Sequence, residues 1–445
     1  MIRNGFRPSR QLLRHLAWLC AWALVLPGLG QWFEIPQLQL LPWVAFVVLL
    51  LISTIDCLFS RIQPKLSAER TAPNNLSIYV EQLISLKVSS HAVRAYEFEL
   101  EEHIPSTWSL VKKPEHCLLQ AGQDITLSYK VLPQKRGLAE ILASEFRIRS
   151  QLGYWQFNWL IENKQEIKVY PNFSVLSDMA GLNGSVNLSQ AGLKKINLRG
   201  SGMDFRQLRE YREGESLKQI DWRATSRFNK LISKEFQEEK NQHVIIMLDA
   251  GRRMLVQDEH MSYFDHALNS LILLAHTALK NGDRLSFQSF GSDTRWLGNM
   301  KGIQSVSKIM HHFYDLYPHK IASDYLQAAE NLLSKQPKRS LILLVSCLRD
   351  EDFSDLFTAV KLLQRVHLVA IITITEPIYQ QINDHEIKDF EQALLYSSAQ
   401  LLKRSINNNI QRLKKSGVIC INCPAGQLNA NIINTYLGVK RAGLL

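Results

Sequence analysis

Several enzyme motifs are missing from this chain of 445 residues. It has no Walker A loop, no GxSxG elbow and no HExxH sequence, which excludes three familiar routes to nucleotide binding, serine hydrolysis and zinc proteolysis. Cysteine is scarce as well, with six residues in the whole chain. Their spacing does not match a disulfide framework, and such free cysteines are typical of a protein in a reducing compartment.

The chain also lacks an acidic excess. Its 52 Lys and Arg against 41 Asp and Glu give a formal net charge of +11, which suits nucleic acid or an anionic membrane surface as a partner. Hydrophobic residues make up 46% of the sequence, so the chain can bury a sizeable core and is long enough for two or three domains.

Two long apolar runs decide between these partners. They cover 16–33 and 38–55, and each is about as long as a membrane-spanning helix must be. Basic residues precede the first run and follow the second, but none lies between them. The positive-inside rule therefore predicts a helical hairpin over 16–60, with the basic N-terminus, 1–15, and everything after residue 60 on the cytoplasmic side. The alternative is a cleaved signal peptide, against which the second run argues.

Three regions of different residue pattern follow the predicted hairpin. Short alternating apolar runs punctuated by turn residues occupy 67–171 and predict an antiparallel β-sandwich. A connector rich in Gly, Ser and Asn follows at 172–203. From 243 to 445, apolar strands alternate with amphipathic helices, which predicts an α/β domain with a doubly wound parallel sheet. We thus expect a multidomain protein.

In doubly wound sheets, ligands bind at the carboxyl ends of the strands. Three positions in the α/β domain therefore draw attention: Asp249 after the first strand, Ser323-Asp324 at the start of a helix, and Ser346-Cys347 after a later strand.

The segment 204–242, called the collar here, is the most distinctive part of the chain. It combines arginines, carboxylates and aromatic residues: Arg209, Glu210, Tyr211, Arg212, Asp221, Trp222 and Arg227. In one interpretation the arginines form bidentate pairs with the collar carboxylates, while Tyr211 and Trp222 clamp the segment onto the sheet. In the other, the arginines hold an acidic partner and Trp222 anchors it, as aromatic residues do in interface hot spots.

Four parts of the collar, Leu208-Arg209-Glu210-Tyr211, Gly214-Glu215, Ile220-Asp221-Trp222 and Arg227, resemble the signature of the bacterial family called domain of unknown function 58. Asp249 at the end of its strand, with the order of elements, resembles a von Willebrand factor A-type domain. The predicted hairpin and the predicted sandwich are similar to the domain layout of the domain of unknown function 58 family. The resemblance implies an inner-membrane protein with a binding role, and a MoxR-type AAA+ ATPase as partner, because family members are often encoded beside such ATPases.

The resemblance also implies where a metal would lie. The adhesion site of A-type domains holds Mg²⁺ with an Asp-x-Ser-x-Ser motif, a Thr and a second Asp, because Mg²⁺ needs about six oxygen ligands. Here Asp249 is present, Gly251 and Arg253 occupy the serine positions, Ser323 stands for the threonine and Cys347 for the second Asp. We therefore expect a degenerate site with no cofactor, Mg²⁺ being the ion to test.

In this interpretation, Arg252 or Arg253 pairs with Asp249 and supplies the positive charge that a metal would bring. Asp350, Glu351 and Asp352 are the carboxylates that would restore coordination if their loop turned back toward Asp249.

Two other functions stay open. One is a metal-dependent hydrolase that uses Asp249 and the cluster from Asp350 to Asp352, and the other is a nucleic-acid-binding protein that uses the collar arginines. Carboxylates interleave with the basic groups of the collar, which weakens its attraction for phosphates. The favoured prediction is a membrane-anchored, non-enzymatic adaptor with no nucleic-acid partner.

Overall fold

The computed structural model describes residues 2–32, 40–60, 64–91, 95–112, 117–172, 204–212, 217–237, 241–258, 261–376 and 389–444. It separates into two compact units, Met1–Tyr170 and Pro171–Leu445. The predicted connector, 172–203, lies outside the described residues except for Asn172.

The first unit is built mainly from β-strands. They are β1 (Ile2–Pro8), β2 (Leu66–Thr71), β3 (Asn75–Ser77), β4 (Gln82–Ser90), β5 (Tyr96–Glu102), β6 (Trp108–Lys112), β7 (Cys117–Leu119), β8 (Asp124–Pro133), β9 (Gly137–Arg149) and β10 (Trp155–Tyr170). One sheet has the order β1-β10-β9-β5-β7, with β3 also on β10, and the other has the order β2-β4-β8-β6. Buried residues alternate along the strands and meet in one core, which is the arrangement of a β-sandwich.

Two helices lie between β1 and β2 in the chain, α1 (Arg10–Trp32) and α2 (Leu41–Ser60), and they contact each other. Among the described residues, α2 is the one helix long and apolar enough to cross a membrane, with a mean hydropathy of 2.2. The first turns of α1 carry Arg10, Arg14 and His15, so its apolar stretch is shorter. The strand β1 was not predicted, because the segment before the first apolar run reads only as a basic N-terminus.

In the second unit, the collar contains the strands β11 (Asp204–Glu210) and β12 (Ile232–Gln237), which form an antiparallel pair. A short helix, α3 (Trp222–Phe228), lies between them in the chain.

A six-stranded sheet forms the centre of the second unit. Its strands are β13 (His243–Asp249), β14 (Arg284–Phe290), β15 (Trp296–Met300), β16 (Leu341–Ser346), β17 (Leu368–Thr375) and β18 (Ile419–Pro424). The order is β15-β14-β13-β16-β17-β18, and all neighbours are parallel except β14 and β15. The chain order reverses between β13 and β16, which opens a crevice at the carboxyl ends of these two strands.

Helices cover both faces of this sheet. They are α4 (Tyr263–Lys280), α5 (Ser305–Phe313), α6 (Tyr325–Lys335), α7 (Phe353–Gln364), α8 (Phe390–Lys415) and α9 (Leu428–Arg441). Alternate residues of β13 divide between two cores, since Val244 and Ile246 pack with α4, α5 and α9, whereas Ile245 and Met247 pack with α6, α7 and α8. Side chains cap the starts of α4, α6 and α8, at Ser262, Asp324 and Asp389 respectively.

Candidate functional site at the carboxyl edge of the large sheet

Asp249 is the last residue of β13, and its side chain is fully buried. One carboxylate oxygen accepts hydrogen bonds from the Gly251 backbone N–H at 2.8 Å and from the Ser323 hydroxyl. The other accepts from Ser346 Oγ at 2.6 Å and Tyr325 Oη at 3.2 Å. Ser346 ends the neighbouring strand β16, while Ser323 and Tyr325 flank the residue that caps α6. The two strand ends and the start of α6 thus converge on one carboxyl group.

The electrostatics of this cluster are set by burial. Burial raises the pKa of the Asp249 carboxyl above its ordinary value, although the four hydrogen bonds oppose the shift. Burial and the neighbouring carboxylate likewise raise the pKa of Tyr325 well above its usual range. The Tyr325 and Ser346 hydroxyls are also within 2.9 Å of each other. The carboxyl therefore lies in a network of neutral hydroxyl groups.

Two glycines allow this close packing. A Cβ atom at Gly251 would overlap the Ser323 hydroxyl and come within 3.0 Å of the Ile321 carbonyl oxygen. Gly291 has φ +99°, and a Cβ atom there would lie 2.7 Å from both the Gly251 nitrogen and Ser323 Oγ. A serine at position 251, as the adhesion motif has, would need the loops to move apart.

This donor set does not fit Mg²⁺. It offers a single carboxylate, and the surrounding hydroxyls donate to that carboxylate instead of presenting oxygens to a shared cation. Among the residues that the structure describes, no group of three or more His, Cys, Asp or Glu is placed to hold a metal ion.

The expected pairing of Arg252 or Arg253 with Asp249 is wrong. Arg253 instead forms ion pairs with Asp352, at 3.0 Å from Nε, and with Glu351, and Arg252 Nη2 lies 3.3 Å from Glu351. The Asp249 oxygens are buried and already occupied by hydroxyls, so the guanidinium groups reach the half-exposed loop after β16. These ion pairs join the loops that follow β13 and β16.

The other carboxylates of that loop are also engaged away from Asp249. Asp350 accepts hydrogen bonds from Ser405 and Asn409 of α8. The Arg253 guanidinium lowers the pKa of Glu351. The carboxylates from Asp350 to Asp352 therefore do not join Asp249 in one site.

Cys347, expected at the position of the second Asp, is buried behind the strand end. Its Sγ lies 3.7 Å from the Ile374 carbonyl oxygen. Burial raises the pKa of the Cys347 thiol to about 12, which keeps it neutral near pH 7. The hydroxyl that does reach Asp249 is that of the preceding residue, Ser346. Tyr325 was missed altogether, because a tyrosine in the first turn of a helix is an ordinary core residue by sequence.

The collar is organised around Asp221. Its carboxylate caps α3 by accepting from the N–H groups of Arg223 and Ala224, both at 3.0 Å, and these bonds lower its pKa. Lys234 pairs with Asp221 at 3.3 Å, and Lys230 pairs with Glu210 at 3.0 Å. Among the described residues, Glu210 and Asp221 thus each pair with a lysine that follows α3, whereas Glu213, another carboxylate of the expected arginine pairs, lies outside the described residues.

The collar aromatics differ in their surroundings. Tyr211 is half-buried, and its backbone N–H donates to the Leu231 carbonyl at 2.8 Å. Trp222 is 67% exposed, so it does not clamp the segment onto the sheet. Further large apolar side chains of the collar are exposed: Leu208, Leu217, Phe228 and Leu231. The collar arginines also differ in exposure, since Arg209 is half-buried, whereas Arg212 and Arg227 are exposed.

Comparison of the sequence with known proteins gives two findings. The sequence model of the family described as protein of unknown function DUF58 matches residues 207–412. The uncharacterized protein YeaD of Bacillus subtilis (strain 168) is 20% identical over 190 residues, which cover 43% of this chain and 45% of that protein. The chain thus spans less than half the length of this relative.

Among solved structures, native alpha-2-macroglobulin from Escherichia coli is similar over 24% of this chain and 17% of its own, at 16% identity and a TM-score of 0.21. A FixG-related protein from Vibrio parahaemolyticus covers 24% of this chain and 98% of its own, at 14% identity and a TM-score of 0.19. TM-scores of this size do not establish a shared fold.

Proposed function

We propose that this chain, whose residues 207–412 match the sequence model of the DUF58 family of unknown function, is a membrane-anchored, non-enzymatic adaptor. Its collar binds a cytosolic partner, a MoxR-type AAA+ ATPase, during the assembly or maturation of a protein complex. The large sheet acts as a von Willebrand factor A-like domain with a degenerate adhesion site. The strand order, the helices on both faces and the position of Asp249 support this domain assignment.

The membrane anchor is a hairpin of α1 and α2. The apolar character of α2 supports the crossing, and the basic residues outside both helices support a cytoplasmic location for the rest of the chain. The chain enters α1 from β1 and leaves α2 toward β2, and both strands belong to the same unit. This continuity favours a hairpin whose two ends lie on one side of the inner membrane.

The contacts at the carboxyl edge of the sheet support the non-enzymatic role. The buried Asp249 carboxyl group is held by four hydrogen bonds, and the nearby Arg253 is engaged by Glu351 and Asp352. A metal-dependent hydrolase would need Asp249 and the cluster from Asp350 to Asp352 to converge, and the contacts of these residues favour the adaptor instead.

The observation that carries the proposal is the exposure of Trp222. A tryptophan that is 67% exposed at the start of a capped helix leaves a large apolar surface in water, next to exposed arginines. Tryptophan and arginine are the residues most enriched in the hot spots of protein interfaces. Because the Asp221 side chain caps α3, the indole is presented on an ordered helix and its binding costs little backbone entropy.

Affinity capture from membranes in mild detergent tests this proposal. The native chain, Trp222→Ala and Phe390→Ala are compared, because Phe390 is a second aromatic residue of the family segment and is 83% exposed outside the collar. We expect the native chain and Phe390→Ala to retain an AAA+ ATPase and Trp222→Ala to lose it. The proposal fails if the native eluate contains no such ATPase, or if Trp222→Ala retains it fully.

A further inference from the structure

The end of helix α2 carries polar residues on one face. Ser53, Asp56 and Ser60 are spaced by three and four residues, so they lie along one stripe of the helix. This stripe contacts the turn between β9 and β10, residues 150–155. Ser150 Oγ donates to Asp56 at 2.5 Å, and the backbone N–H of Leu152 donates to the other Asp56 oxygen at 3.1 Å.

Two further hydrogen bonds complete this contact. The Trp155 indole N–H donates to the Ser53 carbonyl oxygen at 2.8 Å, and the Gln151 N–H donates to Ser60 Oγ at 3.3 Å. Asp56 is only 3% exposed as a result. A buried carboxylate in an apolar setting needs such partners, because an unpaired polar group there is costly. The turn therefore satisfies the polar groups of the last two turns of α2.

The same stretch of α2 is apolar on its remaining surface. Ile55, Leu58 and Phe59 are 50%, 67% and 61% exposed, and they lie at the same height along the helix as Asp56 and Ser60. Leu152, at the tip of the bonded turn, is 52% exposed. Leu152 is therefore an exposed apolar side chain at the level of Leu58 and Phe59 along the helix.

The start of α1 lies at the same level. The Ser9 N–H donates to the Tyr154 carbonyl oxygen at 2.8 Å, and the His15 and Tyr154 rings meet edge to face with centroids 5.9 Å apart. Arg10 and Arg14, in the first turns of α1, are exposed beside them. Apolar side chains, a tyrosine and arginines at one level are typical of the interface between hydrocarbon and lipid headgroups.

We propose that the β9–β10 turn is a lipid-contacting element, in which Leu152 enters the interfacial layer of a phospholipid bilayer. Arg10 and Arg14 lie at the height of the lipid phosphates. The sandwich would thereby rest directly on the membrane and not hang from a flexible linker. This inference rests on the proposed membrane anchoring of α2, since the same bilayer must cover both.

The test uses the full chain, with its six cysteines replaced by alanine and one cysteine restored for an environment-sensitive NBD label. The label is placed at Leu152→Cys or at Leu138→Cys. Leu138 is a matched control because it has the same side chain and is 53% exposed, but it lies at the far end of β9. That end is about 40 Å away along the strand, at roughly 3.3 Å per residue. A third variant, Gln151→Cys, replaces Leu152→Cys if the latter does not fold.

The labelled proteins are reconstituted into phosphatidylethanolamine and phosphatidylglycerol vesicles with or without spin-labelled lipid, and vesicle flotation is measured first. We expect all variants to float with the vesicles. Spin-labelled lipid should quench the fluorescence of NBD at position 152 or 151, and it should not quench that of NBD at position 138. Equal quenching of the turn label and the control label in protein that floats would overturn the proposed lipid contact and leave the proposed anchor intact. Failure to float overturns both proposals.

Discussion

The packing around Asp249 leads to a specific prediction for Gly251→Ala. The added methyl group would overlap the Ser323 hydroxyl and press on the Ile321 carbonyl oxygen, 3.0 Å away. Overpacking of this kind costs about 1–3 kcal/mol. Ser323→Ala alone removes a hydrogen bond to a buried carboxyl group, which costs about 1–3 kcal/mol. In the double variant the hydroxyl that the methyl group would overlap is gone. Its destabilisation should therefore be about 1–2 kcal/mol smaller than the sum of the destabilisations of the two single variants.

Native-state hydrogen exchange of the β13 amides measures these costs at the relevant strand, His243–Asp249, without requiring the whole chain to unfold in one step. The prediction is that the double variant protects β13 better than the sum of the single changes implies. If the costs add within about 0.5 kcal/mol, then Gly251 and Ser323 are not in direct contact and the closed geometry of the site is refuted.

Three more predictions concern buried charges. Folding raises the pKa of Asp249 above its ordinary value of 3.8, so the folded state holds the carboxyl proton more tightly than the unfolded state does. The native chain should therefore lose stability relative to Asp249→Asn as the pH rises from about 4 through the folded-state pKa. The melting temperature of both proteins as a function of pH measures this loss. Lys440→Ala should cost about 3–5 kcal/mol, because it leaves the fully buried Asp283 without its ammonium partner at 2.7 Å. Arg70→Ala should cost a similar amount in the sandwich, where Arg70 and Glu102 pair at 2.6 Å with almost no exposure, as followed by hydrogen exchange.

Exposed neighbours provide the controls for these buried pairs. Arg441→Ala, at the exposed next position of α9, should cost under about 0.5 kcal/mol. Lys87→Ala breaks an ion pair with Asp124 that is about half exposed, and it should leave the hydrogen-exchange protection of the sandwich nearly unchanged. A Lys440 or Arg70 variant that is no less stable than its control would contradict the assignment of a buried, paired charge. A pH profile of Asp249→Asn that parallels the native one would contradict the raised pKa.

Local patterns were sufficient for the parallel strands and the helices of the α/β domain, but not for the antiparallel edge strand β15 or for the strands and helix of the collar. Apolar residues at helical spacing, such as Phe264, Leu268 and Leu271, predict a helix where the structure has α4, and the apolar run from His243 predicts a strand where it has β13. Periodicity of this kind records which face of an element is buried, and it depends only on near neighbours in sequence.

The contacts of the site could not be predicted in this way. Arg253 finds Asp352 across 99 positions in the chain, and Tyr325 reaches Asp249 across 76, so both contacts depend on how the loops approach after folding. The strand β1 is a similar case, since it pairs with β10 and Arg7 donates to Gln156, 149 positions away. The lysine partners of the collar carboxylates depend on the pairing of β11 with β12 for the same reason.

The central claim is that this chain binds a partner without a metal at Asp249. Calorimetric titration of the purified full chain with Mg²⁺ and Mn²⁺, beside Asp249→Ala, tests it most directly. The account predicts no saturable heat for either protein, because the Asp249 carboxyl group is already engaged by Gly251, Ser323, Tyr325 and Ser346. Micromolar binding by the native chain that is lost in Asp249→Ala would contradict the account.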